Sequence, residues 1–137
     1  MANLVRNELI VTGPQRFDII NKIADIGLEA YVPRPNYLED YDLIEWSYDN
    51  WGTKWDRYDE DIVVDKNSML FTTANGPADE FVKALHKLFP DHKISLTWIT
   101  EDDNFETCYC IWAGKGNILY GEIDIEDTHL DIPFLTI

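Results

Sequence analysis

The sequence predicts an α+β fold, a ferredoxin-like split β-α-β antiparallel sheet with two helices on one face and an extra C-terminal β-hairpin. Three observations predict it. Two segments have helical apolar spacing and lie between β-rich runs. The order reads strand–helix–strand–strand–helix–strand, the split β-α-β pattern. Two more β-rich runs joined by GKGN then follow. A chain of 137 residues suits one domain with a single core. The ferredoxin-like core is expected over roughly 3–100, with an acidic hairpin and tail over 101–137.

The first strand is NLVRNELIVTG, where Leu4, Ile10 and Val11 stand among polar residues and Gly13–Pro14 ends the run. Pro14 suits a helix start, where its missing N–H costs nothing. In PQRFDIINKIADIG, Phe17, Ile20, Ile23 and Ala24 recur at helical spacing and Gly27 supplies the stop. Pro33 and Pro35 break the next stretch, in which LIEWSYDNW is expected to hold a short strand. IVVDKNSMLFTTA reads as one strand or as two, the second case a hairpin turning at Asp65–Lys66–Asn67. Asn75–Gly76–Pro77 then opens the second helix, with Asp79 and Glu80 in its first turn. Phe81, Val82, Leu85, Leu88 and Phe89 form its apolar stripe, and Pro90 ends it. HKISLTWIT alternates Ile94, Leu96 and Trp98 onto one face, and FETCYCIWA–GKGN–ILYGEIDIE makes the final hairpin. Helices cover one face of such a sheet. The other is expected to lie under the long irregular segment or to stay open for a partner.

The charge pattern is the most unusual feature. The formal net charge is −15, yet residues 1–36 balance four acids with four bases, and residues 67–100 balance three with three. Residues 37–66 hold ten acids against three bases, and residues 101–137 hold nine against one. The whole excess therefore lies in two segments, −7 and −8. No apolar run approaches the roughly 20 residues of a membrane span, and MANLVRNELI lacks a secretory pattern, so a cytoplasmic protein is expected. Cys108 and Cys110, two apart on one strand, are poorly placed to bond each other and read as structural thiols.

Five motifs occur in order: NxLxVTG (Asn7, Leu9, Val11, Thr12, Gly13), Pro33-x-Pro35, NWGTKWD (Asn50 to Asp56), FTT…P (Phe71 to Pro77) and LFP (Leu88 to Pro90). Over roughly residues 3–100 the chain resembles the YubB-type ferredoxin-like domain family of bacteriophages and plasmids, and NWGTKWD is the most specific element. The last third departs from that family, with an acidic hairpin and tail in place of a glycine-rich aromatic pattern. The resemblance implies a ferredoxin-like fold and a mobile-element origin, but no activity.

DNWGTKWDRYDED, residues 49–61, sets Trp51, Trp55 and Tyr58 among seven charged side chains. In the structural reading both indoles cover the sheet or cap the core, with Lys54 reaching Asp49, Asp56 or Asp59. In the binding reading Trp51, Trp55 and Tyr58 are aromatic anchors for a protein partner. Nucleic acid is excluded as a direct ligand because the segment is net negative.

Enzyme signatures are absent, and no catalytic residue or cofactor is expected. GKGN lacks the length and the Ser/Thr of a phosphate loop. His86, His92 and His129 are dispersed, and His86, among helix lysines, is expected to be solvated. Asp59–Glu60–Asp61 and Glu101–Asp102–Asp103 lack the spaced ligands of a calcium loop, so no metal is expected.

GEIDIEDTHLDI alternates Glu122, Asp124 and Glu126 with Ile123 and Ile125. As a strand it would present three carboxylates in a row, one every ~6.6 Å. Such a row serves equally as a solvated edge that blocks aggregation. Together with Asp127, Glu101, Asp102, Asp103, Asp59, Glu60 and Asp61, it forms the expected partner-binding acidic face. The expectation is a non-enzymatic phage or plasmid protein that occupies the basic nucleic-acid groove of a host defence complex, of anti-CRISPR or anti-restriction type, as a phosphate mimic. The alternative is an accessory domain that binds a peptide or small ligand, or forms a homodimer, through the open sheet face.

Overall fold

The computed structural model describes residues 2–131, so the last six residues of the expected acidic tail lie outside the described chain. Among the described residues, six strands form one antiparallel sheet: β1 (Leu4–Thr12), β2 (Val63–Asp65), β3 (Ser68–Ala74), β4 (Lys93–Thr100), β5 (Tyr109–Gly114) and β6 (Asn117–Glu122). Their order is β2-β3-β1-β4-β5-β6. Three α-helices accompany it: α1 (Arg16–Ile26), α2 (Asp40–Asn50) and α3 (Asp79–Leu88). The protein is thus α+β. None of these helices is long and apolar enough to cross a membrane.

Alternation along β1 divides the two layers. Val5, Leu9 and Val11 point into the core beneath the helices, opposite Leu96 and Ile94 of β4 and Met69 of β3. Ile19, Ile20 and Ile23 of α1 and Phe81, Val82 and Leu85 of α3 close this core from above. Phe17 and Leu88, expected in the stripes, are instead about half exposed. Ile19 takes the place of Phe17, where the Arg16 guanidinium lies over the exposed ring. Both hairpins turn on two residues. Lys115 and Gly116 take positive φ, 51° and 78°, the conformation that matches the twist of the flanking strands.

The structure corrects three expectations. LIEWSYDNW belongs to α2 and forms no strand. Asp40 and Asp42 favour its first turn, and Leu43, Trp46 and Ser47 turn inward, Trp46 packing edge-on against Trp51 at 5.0 Å. Two expected helices thereby become three. GEIDIEDTHLDI is not a strand beyond Glu122. Ile123 N–H still bonds the Cys108 carbonyl, but residues 125–127 wind into a 3-10 turn whose start is capped by the Asp124 carboxylate. The three-carboxylate row therefore does not exist.

The third correction concerns the second sheet face, which is not open over its middle and which the long irregular segment reaches at Asp61, beside Arg6. The chain after β6 returns across it. The His129 imidazole meets Glu8 at 2.9 Å and Asp131 meets Arg6 at 2.9 Å, both on the β1 face away from the helices. Beneath this strap Arg6, Glu8, Thr72, Thr97, Ile99, Cys108 and Cys110 are buried. The expected partner site on an open face is lost there, although Trp112 and Leu119 at the margin stay exposed.

Candidate acidic interface

NWGTKWDR is mostly structural, residue by residue. Trp51 is fully buried in the core, and its indole N–H donates to the Val32 carbonyl at 3.0 Å. Gly52, at φ 87°, lies so close to Pro77 and Asp79 that a Cβ would collide with them. The Asp56 carboxylate accepts from the backbone N–H groups of Leu28 and Glu29, capping the turn after α1. Arg57, buried, donates to the Ile23 and Ala24 carbonyls at the C-terminal end of α1, where a cation is favoured, and pairs with Asp59 at 2.8 Å. Trp55 departs from the structural reading. It is 38% exposed, edge-on to Tyr58 at 6.2 Å, with Lys54 Nζ over its ring at 4.9 Å. Lys54 thus stacks on Trp55, while Asp56 and Asp59 take the partners named above.

The antiparallel topology places the candidate acids. Strand β1 begins at one end of the sheet with Leu4 and finishes at the other with Thr12. At the Leu4 end β2 and β5 begin, and β3, β4 and β6 finish. Asp59, Glu60 and Asp61 precede β2, Glu101, Asp102 and Asp103 follow β4, and Glu122, Asp124, Glu126 and Asp127 end or follow β6. All ten therefore emerge at the Leu4 end, and all but Asp61 and Asp103 are exposed. The connections at the Thr12 end carry Lys66, Lys93 and Lys115 against Asp65 and Asp91. The two ends of the sheet thus differ in charge, while Asp40, Asp42, Glu45 and Asp49 lie apart from both on α2.

Arg6 draws the two acidic segments together. Its Nε lies 2.9 Å from Asp131, and its Nη1 bonds the Asp61 carbonyl at 2.6 Å and lies 3.9 Å from the Asp61 carboxylate. Four other candidates also carry structural bonds: Glu101 accepts from Leu4 N–H, Asp103 from the Thr100 hydroxyl, Asp59 pairs with Arg57, and Asp124 caps the 3-10 turn. Of the ten candidates, Glu60, Asp102, Glu122, Glu126 and Asp127 are exposed and make none of these bonds with the described residues.

Among the described residues no three His, Cys, Asp or Glu side chains are grouped to hold a metal ion. His86 is buried, not solvated as expected, because its Nε2 accepts the Gly116 N–H of the last hairpin turn at 3.1 Å. The same hairpin is tied to α3 by the Tyr120 hydroxyl, which donates to Asp79 at 2.9 Å. Burial raises the Asp79 carboxyl above its usual range, and that hydrogen bond partly offsets it. Both cysteines are free and buried, and burial pushes the Cys108 thiol up to about 11, which suits packing and not nucleophilic attack.

Comparison of the chain with protein-family models, with curated proteins and with solved structures finds no match. Two features escaped the sequence reading. Arg6 and Glu8 alternate along β1 as solvent-facing residues would, and nothing local marks them as buried. The exposed aromatic face of α2 was hidden by reading that stretch as a strand.

Proposed function

We propose that this is a non-enzymatic, acidic interaction protein whose Leu4 sheet end occupies the basic nucleic-acid groove of a partner protein as a phosphate surrogate. The observation that carries the reading is the meeting of part of each acidic segment, residues 59–61 and residues 101–103 with 122–131, at one end of one sheet, joined through Arg6. Acids spread for solubility alone have no reason to leave the opposite end basic. A concentrated field of one sign steers association with a basic surface and competes with phosphate for it. Resemblance to a phage and plasmid family suggests a host defence complex, of CRISPR or restriction type, as the partner, met in the bacterial cytoplasm. The resemblance and the strand order β2-β3-β1-β4 also support a ferredoxin-like unit, extended by the β5–β6 hairpin.

The test is affinity capture from a bacterial lysate containing such complexes, followed by competition with DNA and a salt titration. Binding is expected to fall steeply with salt and to be displaced by DNA. Reversing Glu60, Asp102, Glu122 and Glu126 together to lysine should reduce it at least tenfold without unfolding the protein. Reversing Asp18 and Asp25 of α1 should change it little. A captured partner that tolerates saturating DNA, or ignores the fourfold reversal, would refute the mimicry.

A further inference from the structure

The stretch misread as a strand supplies a second surface. Helix α2 carries apolar side chains on two opposite sides. Leu43, Trp46 and Ser47 face inward, while Tyr41, Ile44 and Tyr48 face outward with 80%, 38% and 37% of their surface exposed. Their spacing of i, i+3 and i+7 makes one straight ridge about 10 Å long. Such a helix is normally covered on both sides, since an apolar stripe is what a helix buries. Two concavities flank Ile44. One of about 310 Å³ lies between Tyr41, Glu45 and Tyr48, and one of about 230 Å³ lies between Leu43, Lys54 and the exposed edge of Trp55.

The rim decides the occupant. Asp40, Asp42, Glu45 and Asp49 surround the ridge, and the bases Arg34 and Lys54 stand only at the second concavity, where Arg34 pairs with Glu29 and Lys54 stacks on Trp55. A second copy of this chain, docked helix to helix, would set four carboxylates against four more. A cationic partner would neutralise them, and aromatic anchors ringed by charge are where interface energy concentrates. We propose that the outer face of α2, continued by Trp55, docks a basic amphipathic helix of a partner protein. Two apolar side chains of that helix would enter the concavities beside Ile44, and its lysines or arginines would meet the rim. Ridge-in-groove packing suits this exposed helix face. The surface is separate from the carboxylates at the Leu4 sheet end, and the proposal does not rest on their role.

A 16-residue leucine–lysine peptide patterned as an amphipathic helix serves as the probe, against a scrambled peptide of equal composition and charge. Titration is followed by backbone amide shifts of the protein. The patterned peptide should bind at least tenfold more tightly than the scrambled one, with shifts centred on residues 40–55. The double variant Tyr41→Ala/Ile44→Ser should lose at least tenfold in affinity while keeping its melting temperature, and the variant Glu60→Lys/Asp102→Lys/Glu122→Lys/Glu126→Lys should keep the same pattern of shifts. Equal binding of both peptides, or shifts centred on the Leu4 sheet end, would overturn the proposal. So would a dimer in sedimentation that Ile44→Ser dissolves, which would make a second copy the occupant.

Discussion

Trp51→Ala and Trp55→Ala, four residues apart in one motif, should have very different consequences. Trp51 is wholly buried. A buried tryptophan removes about 200 Å² from water, worth about 5 kcal/mol as an upper value. Observed truncations of buried aromatics cost about 3–5 kcal/mol. The Val32 carbonyl also loses the indole N–H, adding about 1 kcal/mol, and Trp46 loses its edge-on partner. A sum near 5 kcal/mol equals the whole stability of a marginal domain. At about 4 °C per kcal/mol, Trp51→Ala should melt roughly 20 °C lower or fail to fold. Trp55 is 38% exposed, and its main loss is the Tyr58 contact and the Lys54 stack. That change should cost about 1–2 kcal/mol, or roughly 4–8 °C. Circular dichroism melts of the two variants beside the parent decide the matter. If they melt within about 3 °C of each other, the division of this motif into a core indole and a surface indole is wrong.

Arg6→Met should destabilise by about 3–5 kcal/mol in urea unfolding, because it strands the Asp61 carbonyl and the Thr72 hydroxyl that the buried guanidinium serves. Asp131→Asn, at the exposed end of the same contact, should cost under about 1 kcal/mol; equal costs would refute the buried-cation account. Stability should also fall with alkaline pH. Burial raises the Cys108 thiol from an ordinary 9.0 to about 11, so the unfolded thiol ionises first. Its stabilising contribution is complete below pH 9 and is lost as pH rises through 11. The Cys110 thiol and the Tyr120 hydroxyl are shifted in the same direction, largely by burial. Unfolding midpoints flat from pH 8 to 11, or rapid alkylation of Cys108 in the native protein at pH 8, would contradict this.

The sequence by itself determined the elements whose signal is local. Ile94, Leu96 and Trp98 alternate because one face of β4 is core, and Phe81, Val82 and Leu85 recur at helical spacing because one face of α3 is core. The hairpin turns at Lys66–Asn67 and Lys115–Gly116 were legible for the same reason, since a two-residue turn is specified by its own residues. Tertiary structure decided what depends on distant partners. LIEWSYDNW carries the strand-forming Ile44, Trp46, Tyr48 and Trp51, yet the inward packing of Trp46 against Trp51 makes it helical. Glu122, Asp124 and Glu126 alternate as a strand would, but among the described residues β6 is the edge of the sheet with no further strand for them to join, and the chain turns back over the sheet. Trp51 and Trp55 look alike in sequence, and only the fold places one in the core and one on the surface. The charge excess was countable from the start. Its division between one end of the sheet and the outer face of α2 was not, because the alternating direction of the strands brings residues 59–61 and 101–103, forty apart, to the same edge of the sheet.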